Sequence, residues 1–172
     1  MNLWLRVLAV IVSTFFRPRL AFDGPSMLSF RVWPHDLDIN VHMNNARYMA
    51  LMDLGRLDLI VRSGLWRTVF REGWQPVIAA ALVRFKKPLK PFQPFTLTSR
   101  VISWDDRWIY IEHIIATDRA VACHAVVRGA FVRKGVVIPP QEVVSRTGGG
   151  VPSPLPDWVA SWRDADRAFE IA

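Results

Sequence analysis

Residues 36–59 read Asp36-Leu37-Asp38-Ile39-Asn40-Val41-His42-Met43-Asn44-Asn45, then Ala46-Arg47-Tyr48-Met49-Ala50-Leu51-Met52-Asp53-Leu54-Gly55-Arg56-Leu57-Asp58-Leu59. A polar turn runs straight into an apolar helix. Tyr48, Leu51, Met52, Gly55 and Leu59 recur at i, i+3, i+4 and i+7, which is one helical face. Met49, Ala50, Leu54, Leu57, Ile60 and Val61 cover most of the remaining circumference. A helix apolar nearly all round is a buried one, surrounded by other structure. Asn44 and Asn45 at its start are residues whose side chains cap unpaired first-turn amides. Those amides make an electropositive spot, and Asp38 and His42 lie just upstream of it. A carboxylate, an imidazole and open amides together are equipment for polarising a carbonyl.

Working outward, Met27–Trp33 reads as a first strand, halted by Pro34, and Ser63-Gly64-Leu65 ends the central helix, with Gly64 suited to a left-handed cap. Trp66–Gln75 reads as a short helical turn and loop. From Val77 to Lys134 the chain reads as β. Val77, Ala79, Ala81, Val83 and Phe85 alternate with Ile78, Ala80, Leu82, Arg84 and Lys86. Phe95–Trp104 and Trp108–Asp118 flank a hairpin turn at Asp105-Asp106-Arg107, and Arg119–Lys134 follows as another strand. One strand, one buried helix and about four consecutive strands predict an antiparallel meander that curls around the helix, the only large element able to cover it. Small residues at Ala79, Ala80, Ala81 and Ala125 would let the sheet approach that helix closely. The fold class is α+β.

Three regions are expected: an apolar N-terminal helix over 1–22, the central domain over 23–138, and a Pro- and Gly-rich extension over 139–172. That extension ends in a short helix, Asp157–Phe169, with Trp158 and Trp162 as docking residues. Residues 3–16 are apolar but interrupted by Arg6, and fall short of the roughly 20 residues a spanning helix needs. They read either as a helix packed on the domain or a partner chain, or as an interfacial membrane helix with Trp4 and Phe15 in the lipid and arginines at the headgroups. Arg17 and Arg19 follow this run and Phe15-Phe16-Arg17-Pro18 offers no cleavage site, unlike a secretory signal.

At 172 residues, 51% of them hydrophobic, the chain is expected to be one globular domain with a real core. Its net charge of +7 suggests an anionic partner: a nucleotide-like group, an anionic lipid surface or nucleic acid. Nucleic acid has charge in its favour but no reading motif, so it is not an expected partner. The single cysteine, Cys123, cannot form an internal disulfide, and a cytoplasmic location, free or at the membrane surface, is expected. His35, His113 and His124 show no metal-site spacing, and no phosphate-loop or nucleophile-elbow motif is present, so neither metal nor redox cofactor is implied.

Asp36-x-Asp38-x-x-x-His42-x-Asn44-Asn45-x-x-Tyr48 resembles the signature at the head of the central helix in hotdog-fold thioesterases of the 4-hydroxybenzoyl-CoA type. Within that superfamily the chain is similar to the thioesterase-superfamily member 6 group, through His42–Tyr48, Ser63-Gly64-Leu65, Lys90-Pro91-Phe92, Trp104-Asp105-Asp106-Arg107 and Leu155-Pro156. The resemblance implies a helix wrapped by an antiparallel sheet, paired into a dimer or a tetramer, and hydrolysis of an acyl-CoA or acyl-carrier thioester. It implies that Asp38 is the catalytic carboxylate and that the carbonyl is held at the helix N-terminus. One position departs from the pattern: Val41 stands where the family usually has glycine, whose backbone freedom a β-branched residue lacks.

Each residue also has a plainer reading. Asp38 could cap the Asn40 or His42 amides, and Asp36 is expected to be a structural Asx-type residue. His42 reads equally as a substrate-binding or Asp38-orienting group and as a packed histidine. Asn44 and Asn45 read first as caps that fix the amides for an oxyanion. Tyr48 reads as core with its hydroxyl near the site. Asp53 and Arg56 are spaced i, i+3 and could pair on the helix, and Asp53 is a second candidate acid. Arg84, Lys86, Lys87 and Lys90 read as a coenzyme A phosphate cluster or as a solvated strand end. A non-catalytic acyl-thioester or lipid binder of the same fold is the alternative function. Coenzyme A enters as part of the substrate, not as a cofactor.

Overall fold

The computed structural model describes residues 3–167. Helix α1 (Leu3–Thr14) is followed by strand β1 (Ser26–Arg31), a 3-10 turn (Pro34–Asp36), helix α2 (Asn45–Arg62) and helix α3 (Trp66–Glu72). Strands β2 (Gln75–Phe85), β3 (Pro94–Trp104), β4 (Ile109–Ala116), β5 (Val121–Arg133) and β6 (Val136–Ile138) come next, then helices α4 (Pro140–Ser145) and α5 (Asp157–Arg167). The α5 helix, expected to reach Phe169, runs to Arg167; residues 168–172 lie outside the described residues.

The strands form one antiparallel sheet in the order β1-β3-β4-β5-β2, with β6 pairing β5. The expected meander is therefore corrected in one place. β3, β4 and β5 are joined by tight turns and lie side by side, but β2 pairs with β5 at the far edge. The reason is the β2–β3 connection, Lys86–Gln93. It carries Pro88 and Pro91, is too long for a hairpin turn, and crosses to the other side of the sheet.

Helix α2 lies across β1, β3 and β4, burying Tyr48, Leu51, Met52, Leu54, Gly55 and Leu59. The close approach is made by Gly55, where an added Cβ would collide with the Ser99 hydroxyl of β3. The alanines of β2 do not serve this purpose, and Ala79 and Ala81 are exposed. Ala125 alone of the expected small residues joins the core beside α2. The outer face of the sheet is apolar as well, and the expected C-terminal helix docks on it. That face is covered by the C-terminal extension, whose Leu155, Val159 and Trp162 pack on Tyr110 and Val126. Strand β5 is buried on both faces for that reason.

Helix α1 is locked to the domain by Arg6 and Val10, both buried. Arg6 donates to both oxygens of buried Asp36, at 3.2 and 2.6 Å, and to the Arg31 carbonyl. A second buried carboxylate, Asp58, accepts from Arg17 (3.0 Å), Arg62 (3.2 Å) and Ser26 (2.6 Å) and ties the end of α1 and the start of β1 to α2. The opposite face of α1 is apolar and exposed: Trp4, Leu5, Leu8 and Val12, continued by Phe15 and Phe16. None of the described helices is long and apolar enough to cross a membrane.

Candidate active site

The turn before α2 is closed at its base by the Asn44 amide donating to the Asp36 carbonyl (2.8 Å) and by a bridge between Leu37 and Met43. Inside it, Asp38 accepts from the amides of Asn40 (2.8 Å) and His42 (3.4 Å), both through Oδ1. Its backbone also bonds His42 and Val41. Asp38 is thus held by one oxygen, and Oδ2 makes no hydrogen bond among the described residues. Val41 has φ +58°, the left-handed conformation that glycine adopts freely. Val41 thus holds a conformation that glycine would take without strain.

Asn44 caps α2: its side chain accepts from the Ala46 amide at 2.8 Å. The Asn45 amide takes no partner among the described residues and is the open donor of the first turn. The Asn45 side chain is exposed, and His42 is half-buried with no hydrogen bond to its ring among the described residues. Tyr48 sits one turn in, buried, edge-on to Phe85 with centroids 5.2 Å apart. Burial pushes its hydroxyl up to about 12, against a hydrogen bond from the Leu89 backbone. It is a core residue facing the β2–β3 loop.

The end of β2 and that loop carry the basic cluster to the same place. The Met43 amide donates to the Leu89 carbonyl (2.9 Å), stitching residues 86–93 to the Asp38 turn. Arg84, Lys86, Lys87 and Lys90 are exposed and form no ion pair among the described residues. The structure therefore gathers Asp38, His42, the Asn45 amide and the loop cations at one end of α2.

Asp53 lies elsewhere. It sits with Arg56 at the wall of a cavity of about 350 Å³ between the second half of α2 and strands β2–β5. Leu54, Leu57 and Ile60 form its helical wall, and Val77, Ile78, Val101, Ile111, Ala130 and Phe131 its sheet wall. Asp53, the first of its lining residues on α2, lies eight residues beyond Asn45, about 12 Å at 1.5 Å per residue. Within one chain the Asp38 turn and this cavity do not meet.

Sequence reasoning missed what stands behind Asp53. Arg56 pairs with it and also contacts Nε2 of buried His113 (3.1 Å), whose Nδ1 is 2.8 Å from the Ser99 hydroxyl. Arginine only donates, so Nε2 accepts and Nδ1–H donates to Ser99. Burial first, then the Arg56 charge, holds His113 well below its usual pKa and therefore neutral. Burial likewise lowers Arg56, against the pull of Asp53. The Arg6–Asp36 pair was missed as well. Its signal was present in the sequence: one arginine inside an otherwise apolar helix needs a buried partner. Cys123 is buried and its thiol is pushed up to about 12, which leaves it inert. No cluster of three or more His, Cys, Asp or Glu is placed to hold a metal among the described residues.

A curled antiparallel sheet laid over one long helix, with a polar turn feeding the helix N-terminus, defines the hotdog class. Residues 32–163 match the model of the thioesterase-like superfamily, and the chain belongs to that family. It is 37% identical over 81 residues to Protein THEM6 of Xenopus laevis, covering 47% of this chain and 39% of that protein. It is 34% identical over 80 residues to the probable thioesterase YBR096W of Saccharomyces cerevisiae, covering 45% and 34%. These alignments span about two fifths of the length of the first relative and a third of the second. In fold it matches the probable thioesterase YbaW of Escherichia coli, with TM-score 0.65 and 16% identity over 70% of this chain and 94% of that one. A 4-hydroxybenzoyl CoA thioesterase mutant complexed with 4-hydroxybenzoyl CoA matches with TM-score 0.64 and 16% identity, over 70% and 96%.

Proposed function

We propose that the chain is an acyl-CoA-type thioester hydrolase that works as a homodimer. One observation carries this reading: the Asp38 turn, an open helix-terminal amide and a group of unpaired cations are joined at one end of α2. Asp38 Oδ2 takes a proton from water, and the resulting hydroxide adds to the thioester carbonyl. The Asn45 amide receives the developing oxyanion, with Asn44 fixing the helix end and His42 beside the substrate. Collapse of the adduct expels the thiolate, which is protonated on leaving. Arg84, Lys86, Lys87 and Lys90 suit the phosphates of coenzyme A, or the phosphopantetheine of a carrier protein. Tyr48 supports this end from the core.

The acyl chain needs a cavity, and the one beside α2 begins about 12 Å along the helix from Asn45 in the same chain. The edge strand resolves the separation. Among the described residues β2 takes no strand on its outer side, and nine of its eleven residues are exposed, an edge that invites pairing. Its beginning, Pro76–Ile78, lines the cavity, and its end leads into the cationic loop. Antiparallel pairing of two β2 edges about a two-fold axis sets the end of one beside the beginning of the other. Each active site is then completed by the Asp38 turn of one protomer and the cavity of its partner, with Asp53 at the cavity wall.

Thiol release from acyl-CoAs of graded length, aliphatic and aromatic, tests the chemistry. Asp38→Asn keeps an oxygen for the Asn40 and His42 amides and removes the base, so turnover should fall by 100-fold or more, on the order of a general-base contribution, with stability little changed. Equal release by the variant would exclude Asp38 as the base.

The exposed face of α1 supports a second contact, peripheral attachment to a membrane surface. Trp4, Leu8, Phe15 and Phe16 present the apolar side. The arginines contribute less than their number suggests, because Arg6 is paired with Asp36 and Arg17 with Asp58.

A further inference from the structure

The cavity beside α2 is apolar except at one point. Among its lining residues only Asp53, Arg56 and Ser63 have polar side chains, and the Ser63 hydroxyl donates to the Ile60 carbonyl. Arg56 is the unusual member. Its side chain is 12% exposed, so the guanidinium has lost most of its water, while its carboxylate partner Asp53 is 68% exposed. Its other partner, His113, is neutral and contributes no charge. Ser99 and His113 brace Arg56 from behind, and Gly55 admits Ser99 against the helix. The result is a preorganised cation at an apolar cavity, opposed by one carboxylate that can turn into solvent. Asp53 is the solvent-facing half of the pair, and an incoming carboxylate replaces its charge, so the exchange leaves the desolvated guanidinium paired.

We propose that Arg56 anchors the carboxylate of an aliphatic acid whose chain fills this cavity, with Asp53 as the counter-ion that the ligand displaces. Swinging Asp53 away frees Nη2 for the incoming carboxylate, while Nη1 stays on His113 and fixes the plane of the guanidinium. At about 350 Å³ and with an apolar lining outside Asp53, Arg56 and Ser63, the cavity suits a medium-length aliphatic acid such as octanoate. Such an acid is the product class of the hydrolysis proposed above, so the same site retains product and slows turnover as it accumulates. The inference rests on the cavity being the acyl site, and its test reads binding without turnover, so the two readings fail separately.

Calorimetric titration of the full chain with octanoate and with 1-octanol provides the test. Wild type should bind the acid about tenfold or more tightly than the alcohol, as expected for a charge-assisted contact. Arg56→Met should abolish that preference while still binding the alcohol, which shows that the cavity has survived. Asp53→Asn alters an exposed side chain and removes the competing carboxylate, so it should tighten octanoate binding several-fold. Equal affinity for acid and alcohol in wild type would overturn the proposal. So would a preference that persists in Arg56→Met, or octanoate binding that is unchanged or weaker in Asp53→Asn. Octanoate binding without any thiol release would leave this inference standing and remove the hydrolase; thiol release without a preference for the acid would do the reverse.

Discussion

Val41 holds φ +58° in an exposed turn, where a β-branched side chain is strained by about 1–2 kcal/mol relative to glycine. Part of that strain is offset because glycine gains more freedom on unfolding. Val41→Gly should therefore raise stability by up to about 1 kcal/mol, seen as a higher urea midpoint; a lower midpoint would mean that the Val41 side chain contributes contacts of its own. His113 makes a pH prediction. It is neutral when folded, with its pKa held far below the roughly 6.5 of the unfolded chain. Below that pH the unfolded state binds a proton that the folded state refuses, so acidification favours unfolding. Stability should decline from about pH 6.5 downward, by at most about 1.4 kcal/mol per pH unit for this group. His113→Gln should flatten the slope over that window, and an unaltered slope in urea titrations would remove His113 as its source.

The elements differ in how far they could be read. Helix α2 was plain from its period and from Asn44, Ser63 and Gly64, because capping and periodicity are local. The β3–β4 hairpin was equally plain from Asp105, whose side chain accepts from the Arg107 and Trp108 amides. The partner of β2 was not legible, since an antiparallel strand can join either edge of a sheet and local residues do not say which. Nor was the Arg56–His113–Ser99 chain, in which each contact joins residues on different elements. Helix α1 divides in the same way. Its apolar run was readable, but the Arg6–Asp36 pairing that aims its apolar face outward spans thirty positions. That face gives a prediction: wild type should co-sediment with anionic vesicles, and Trp4→Glu with Phe15→Glu should abolish it. Both residues are exposed, so the fold should persist. Vesicle binding that survives the double change would rule out α1 as the contact.

At the scale of the whole molecule, the function proposed above gives each chain two half-sites. The cationic end with Asp38 and the apolar cavity lie at opposite ends of α2, and in the proposed dimer a second copy brings them together. A sheet edge as long and apolar as β2, with Val77, Ile78, Leu82 and Phe85 all exposed, would otherwise be an aggregation hazard. Thiol release by mixed dimers separates a shared site from one contained in a single chain. Asp38→Asn removes the base; Leu57→Trp fills the cavity with a larger side chain. Each variant alone should be inactive. Unfolded together and refolded, they should regain about a quarter of wild-type activity per protomer, since half the dimers are mixed and each holds one intact site of two. Mixtures as inactive as their parents, with mixed dimers present, would place Asp38 and its cavity in the same chain and contradict the claim.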